Sequence, residues 1–111
     1  MQLSDPVRKA MGSALLELIK LSELNLYADN GDVIVTLPLG SFRQVKAGVV
    51  ETLATAQGYA ITDGTPARYD VRRNGNLVMR GEASDLGLTD SLPSGALVSL
   101  STFVYEVANG V

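Results

Sequence analysis

Residues 67–82 read ARYDVRRNGNLVMRGE, and this stretch carries the clearest fold signal in the chain. The Asn-Gly pair at 74–75 lies between two runs in which apolar and charged residues alternate, which is the pattern of a β-hairpin. In a first register, a two-residue turn at these positions pairs Arg72 with Leu77. Both faces of that hairpin would mix apolar and charged side chains.

A second register separates the side chains more cleanly. A three-residue loop closed by a left-handed Gly75 pairs Val71 with Leu77 and Tyr69 with Met79. Because a one-residue slip moves every side chain to the other face, we expect the register that gives one apolar face. That face holds Ala67, Tyr69, Val71, Leu77, Met79 and Gly81. The outward face holds Arg68, Asp70, Arg72, Asn76, Val78 and Arg80.

The arginines of the outward face have three readings. They are either part of a solvated sheet surface, balanced by nearby acids, or a contact patch for an acidic partner, because arginine is enriched at protein interfaces. Nucleic acid is the weakest reading, since the chain has a net charge of −3 and no aromatics interleave with the arginines. The candidate interface residues on this face are Arg68, Arg72 and Arg80.

The composition limits the class of protein. A chain of 111 residues, 46% hydrophobic and 19% charged, predicts one folded domain spanning residues 1–111. It contains no cysteine and no histidine, which excludes disulfides, thiol catalysis and zinc sites built on those residues. No stretch approaches a membrane span, and no signal-peptide pattern opens the chain. We therefore expect a protein that remains inside the cell that makes it.

The N-terminal residues predict one amphipathic helix over about 4–21. Ser4 is a favourable N-cap, Asp5 lies at the positive end of the helix dipole, and Pro6 fits the first turn. The apolar stripe consists of Val7, Ala10, Met11, Ala14, Leu15, Leu18 and Ile19. A stripe of this kind packs on a sheet of its own domain or on a neighbouring protein. Val7 and Met11 are therefore further candidate interface residues.

From about residue 24 to 108 the pattern is that of β-strands. LNLYA and DVIVTLPL read as strands around the turn DNGD, KAGVVETLATA as a strand rather than a short helix, and LGLT as a short strand. The run ALVSLSTFVYEV changes its preferred apolar face near Ser101, which predicts a bend that carries it from one sheet to another. The expected fold is mainly β, an antiparallel β-sandwich or barrel-like domain of six or seven strands with one N-terminal helix.

The sequence offers little catalytic chemistry. It has no P-loop, no G-x-G-x-x-G and no G-x-S-x-G motif. ADNGDV reads as a plain turn, not a calcium loop, and Asp85 and Asp90 read as solvated loop ends, not a carboxylate pair. We predict that the chain is not an enzyme, with no catalytic residues, metal, cofactor or small-molecule substrate.

The order of motifs resembles a family of small proteins encoded among the head genes of tailed bacteriophages and prophages. The matching pieces are LSDPVRKAM, VIVTLPLGSF, GVVETLATA, ARYDVRRNGNLVMRGEAS and SLPSGALVSLSTFVYEV. Together they cover nearly the whole chain, and the segment around Asn74-Gly75 is the most specific. Family members often carry a longer segment before the strand at 32–39.

The resemblance implies a virion structural role. It points to a capsid-associated decoration protein on the capsid surface, made in the bacterial cytoplasm, that binds the major capsid protein and copies of itself as a homo-oligomer. It implies no contact with nucleic acid or membrane. Two alternatives stay open: a tail-tube or head–tail connector component, and a carbohydrate-binding β-sandwich for host attachment.

Overall fold

The structure is a computed structural model that describes residues 4–106. Within that range one helix precedes nine strands, and every strand pairing is antiparallel. The elements are α1 (Asp5–Ile19), β1 (Ser22–Tyr27), β2 (Val33–Gly40), β3 (Phe42–Lys46), β4 (Val49–Thr52), β5 (Ala56–Tyr59), β6 (Arg68–Arg73), β7 (Asn76–Glu82), β8 (Leu97–Leu100) and β9 (Val104–Glu106).

The strands form three antiparallel sheets around one apolar core. The largest sheet has the order β2-β1-β6-β7, the second β3-β4-β9, and the third β5-β8. The core takes side chains from the end of the helix, from the β2-β1-β6-β7 and β5-β8 sheets, and from two positions between strands, and Phe42 of the third sheet packs against it. Its members are Ile19, Leu24, Leu26, Val35, Leu37, Leu39, Ala56, Val71, Ala83, Val98, Leu100 and Phe103. The predicted class, a mainly β and sandwich-like domain with one N-terminal helix, is confirmed.

Phe103 lies where the sheets meet. Its ring contacts the rings of Phe42 on β3 and Tyr69 on β6 edge-on, with centroids 6.3 and 6.1 Å away. Its backbone exchanges hydrogen bonds with Thr52: the amide of Phe103 donates to Thr52 Oγ1 at 3.0 Å, and the Phe103 carbonyl accepts from the Thr52 amide at 3.0 Å. The break between β8 and β9 therefore carries the chain from one sheet to another, as the change of face near Ser101 predicts.

Two other strand predictions have different outcomes. KAGVVETLATA contains strand β4, which begins after a turn at Gly48 with φ of +78°. LGLT is not a strand. Its first residue, Leu86, ends a 3-10 turn at Ala83–Leu86, and Gly87 follows in the left-handed conformation, φ +70°. The Glu82 amide donates to Asp85 Oδ2 at 3.2 Å, so local capping starts a turn there. The last residues of the predicted β region, 107–108, lie outside the described residues.

The hairpin register differs from the prediction. Asn74 and Gly75 both have positive φ, +53° and +80°, as a two-residue type I′ turn requires. Arg72 therefore pairs with Leu77, as in the first register. A bulge then skips Val78, so the predicted pairs Val71–Leu77 and Tyr69–Met79 are wrong.

The bulge at Val78 separates apolar from charged side chains, which the two-residue turn alone would mix on both faces of the hairpin. Beyond it, Val71 pairs with Met79 and Tyr69 with Gly81 on the core side. A Cβ atom at Gly81 would lie 2.7 Å from the Tyr69 ring, so glycine leaves room for that ring. Leu77 moves to the arginine face, and Val78 packs against the core.

The helix begins as predicted, because Ser4 Oγ accepts from the Val7 amide at 3.4 Å. It packs chiefly on β3. Gly12 faces β3, where a Cβ atom would lie 2.1 Å from Gln44 Oε1, and Ile19 enters the core. Of the predicted apolar stripe, Leu15 is partly buried, whereas Val7, Ala10, Met11, Ala14 and Leu18 are exposed.

Candidate protein interfaces

The outer face of the β2-β1-β6-β7 sheet is organised around Asp70, which is only 7% exposed. Its carboxylate accepts hydrogen bonds from Asn25 Nδ2 at 3.1 Å, the Tyr27 hydroxyl at 2.8 Å and Arg72 Nε at 2.9 Å. The Thr36 hydroxyl donates to Asn25 Oδ1 at 2.7 Å and extends the network to β2. A buried carboxylate with three donors is satisfied, so this network holds the surface in one arrangement.

The network fixes the charge and the orientation of its members. Burial, together with the hydrogen bond to Asp70, raises the pKa of Tyr27 above its ordinary value, so this hydroxyl remains a donor at neutral pH. The hydrogen bond to Asp70 also raises the pKa of Arg72. A second bond, from Arg72 Nη1 to the Gly75 carbonyl at 3.1 Å, ties the guanidinium to the hairpin turn. The Arg72 guanidinium is therefore bonded within the domain, to Asp70 and to the hairpin turn.

Arg68 and Arg80 lie on the same face and are exposed. Arg80 is directly opposite Asp70 across the hairpin, and the Arg68 guanidinium lies 6.0 Å from the centroid of the Tyr27 ring. Neither arginine forms an ion pair with an acid among residues 4–106. Both line an open groove whose apolar wall is Leu77. The arginine face, defined as Arg68, Arg72, Arg80 and Leu77, thus presents two exposed guanidinium groups that form no ion pair with an acid among the described residues.

A second exposed surface lies on the helix. Met11, Ala14 and Leu18 form an open apolar groove with Tyr105 of β9, and Val7 continues the same line of the helix. The charged side chains nearby are directed elsewhere: Arg8 pairs with Glu106 at 2.9 Å, and Lys20 with Glu17 at 2.9 Å. This surface is apolar where it is most exposed.

The structure separates the predicted interface residues into two groups. Arg68, Arg72 and Arg80 come together on the large sheet, as the alternation of the sequence indicates. Val7 and Met11 lie one turn apart on α1, which packs on the three-stranded sheet. Two residues were missed. Tyr105 lies far from Met11 in the chain, so no local pattern joins them. Leu77 is predicted on the core face because no sequence pattern marks the bulge at Val78.

The two surfaces offer contacts, not reactive groups. Between residues 4 and 106, no three acidic side chains gather in a group able to hold a metal ion. Within residues 4–106, no helix is long and apolar enough to cross a membrane. Comparison of the chain with protein-family models, curated proteins and solved structures found no match.

Proposed function

We propose that this chain is a bacteriophage virion structural protein of the decoration type, which stabilises the shell by binding the major capsid protein and copies of itself. The observation that carries the proposal is the pair of contact surfaces on one domain, a cationic one on the sheet and an apolar one on the helix, which adjoin where Leu18 and Leu77 line one groove. Arginine, methionine and tyrosine, which these surfaces present, are enriched at protein interfaces. The proposal includes no catalytic step and no cofactor.

The arginine face supplies the contact with the capsid protein. The chain is acidic overall, with a net charge of −3, so an acidic partner is repelled by most of the surface and attracted to Arg68 and Arg80. Electrostatic complementarity of this kind favours one orientation over others. An exposed guanidinium also binds a carboxylate through two parallel hydrogen bonds. Modest contacts of this kind stabilise a shell because its symmetry repeats them.

The test is occupancy on capsid shells from the phage or prophage that encodes the chain. The double variant Arg68→Glu, Arg80→Glu should fold normally, because neither side chain is buried or ion-paired, and should bind at least about tenfold more weakly. The matched control Lys9→Glu, Lys46→Glu makes the same change in charge at two exposed positions outside the arginine face, neither of which forms an ion pair with an acid among residues 4–106. Undiminished binding of the first variant, or equal loss in both, would contradict the proposed docking face.

A further inference from the structure

The two edge strands of the β2-β1-β6-β7 sheet differ in whether the chain covers them. Along β2, the Ile61 amide donates to the Ile34 carbonyl at 2.8 Å, and β5 approaches so closely that a Cβ atom at Gly58 would lie 2.4 Å from the Thr36 carbonyl oxygen. Along β7, no strand of the described residues pairs on the side away from β6. None of the residues of β7 is buried, whereas each of the other three strands buries at least two. The sheet therefore has one covered edge and one open edge.

The backbone of Arg80 lies in the middle of the open edge. Just past β7, the Ala83 amide donates to the Ala67 carbonyl on the β6 side at 3.1 Å. Because the backbone groups of successive residues in a strand point to opposite sides, the N–H and C=O of Arg80 and Glu82 face away from β6. The Glu82 amide is bonded to Asp85 Oδ2, whereas no group among the described residues bonds to the Arg80 amide or carbonyl. Unpaired groups of this kind are a template for a further strand.

The two sides of the open edge differ in chemistry. On the outer face, Arg68 and Arg80 are exposed and form no ion pair with an acid between residues 4 and 106. On the other side, where Val78 packs against the core, Leu15 and Leu18 of α1 form an open groove with it. A strand added at this edge presents alternate side chains to these two surfaces. Acidic side chains suit the first surface, and apolar side chains suit the second.

We infer that an extended segment of the partner, in which acidic and apolar residues alternate, adds as a strand to the edge of β7. The inference deepens the proposed contact at the arginine face, and it rests on the proposed function in taking the capsid protein as that partner. Main-chain hydrogen bonds to Arg80 supply affinity, and the alternating side chains supply register and specificity. A second copy suits this edge poorly, because pairing of β7 with β7 brings the arginines of both copies together, and like charges across a strand pair are destabilising.

A synthetic peptide of about nine residues, in which glutamate and valine alternate, tests the pattern with the purified chain. Fluorescence anisotropy of the labelled peptide should show saturable binding as the chain is added up to about 1 mM. A control peptide of the same composition, with its glutamates grouped in one half, should bind at least about tenfold more weakly, because it cannot direct the two kinds of side chain to opposite faces. No binding of the alternating peptide, or equal binding of both, would overturn the inference.

Methylation of the peptide amides distinguishes backbone pairing from simple attraction of charge. In an added strand only every second amide faces β7. One peptide is methylated on the amides of its two central glutamates, and another on those of its two central valines. One of them should bind at least about tenfold more weakly than the unmethylated peptide, and the other within about twofold of it. Equal losses, or no loss in either, would show that the peptide does not pair with the edge.

On the chain itself, Arg80→Pro removes the amide hydrogen together with the side chain, and Arg80→Ala removes the side chain alone. Proline is tolerated in an edge strand where its nitrogen faces solvent, so both variants should give the circular dichroism of the wild type. Arg80→Pro should bind the alternating peptide at least about fivefold more weakly than Arg80→Ala. Equal binding by the two folded variants would count against the inference, and if Arg80→Pro does not fold, the methylated peptides decide.

These measurements need only the purified chain and synthetic peptides, so their failure is distinguishable from failure of the proposed function. If the peptides do not bind while Arg68→Glu, Arg80→Glu still lowers occupancy on capsid shells, strand addition is overturned and the proposed function stands. If the wild-type chain does not bind shells at all, the proposed function fails, and with it the capsid protein as the partner of this edge.

Discussion

Two buried hydroxyl groups, those of Thr52 and Ser22, differ in whether they have a hydrogen-bond partner. Thr52 Oγ1, in a residue that is 6% exposed, accepts the Phe103 amide at 3.0 Å. Ser22 is 1% exposed, and its Oγ has no hydrogen-bond partner among the described residues. A buried polar group without a partner costs free energy that a bonded one recovers.

The two hydroxyls should respond to removal in opposite directions. Ser22→Ala should raise the free energy of unfolding by about 1 kcal/mol, because it removes an unsatisfied group. Thr52→Val, which keeps the shape and strands the Phe103 amide, should lower it by about 1–3 kcal/mol. Urea denaturation at neutral pH measures both. Equal destabilisation would mean that the Ser22 hydroxyl is bonded after all.

The arginines were also predictable residue by residue, because alternation in a strand fixes which side chains share a face. Asp70 was not predictable as their centre. Its partners Asn25 and Tyr27 lie on β1, and only the pairing of β1 with β6 brings them to it. The local pattern therefore predicted which arginines share a face, but not the hydrogen bonds to Asp70 that organise that face.

At the scale of elements, local chemistry predicted where structure begins and turns, but not its registers. Ser4 starts the helix and Asn74-Gly75 makes the hairpin turn, since each acts on its immediate neighbours. The bulge at Val78 results from the packing of the whole core, and no local sequence pattern marks its position. The helix illustrates the same limit: its apolar stripe combined two faces, and the sequence did not say which one the sheet would cover.

Two neighbouring substitutions distinguish the observed register from the predicted one. Leu77 is 48% exposed on the arginine face, whereas Val78 packs against the core. Leu77→Asp should change the free energy of unfolding by no more than about 0.5 kcal/mol, and Val78→Asp should lower it by about 3 kcal/mol. Thermal and urea unfolding of both variants provide the measurement. The reverse order would support the predicted register with the three-residue loop, in which Leu77 lies on the core face.

At the scale of the whole molecule, three sheets pack around one core, and Phe103 contacts residues of two of them, Phe42 and Tyr69. The sequence predicted that the chain changes sheets near Ser101, because the apolar face changes there. It did not identify Phe103 as the junction, since Phe42 and Tyr69 come from distant parts of the chain. Contacts of that kind are set by the assembled fold.

Truncation of the Phe103 side chain should lower the free energy of unfolding more than truncation of its neighbour, Val104. Phe103→Ala should lower the free energy of unfolding by about 3–5 kcal/mol, through lost burial and the cavity left behind. Val104→Ala, at the next and exposed position, should change it by no more than about 0.5 kcal/mol. Denaturant unfolding compares the two. Similar small losses in both would show that the sheets are held together elsewhere.

The proposed decoration role depends on protein contacts that a shell repeats by symmetry, and the number of copies per particle tests that role most directly. In the proposed role the chain is part of a phage particle. Such particles are purified, and quantitative mass spectrometry compares the amount of the chain with that of the major capsid protein. A decoration protein should be present in a number on the order of hundreds, set by the capsid lattice. A dozen copies or fewer would place the chain at the neck or tail tip, an intermediate number would indicate the tail tube, and absence from the particle would contradict the structural role altogether.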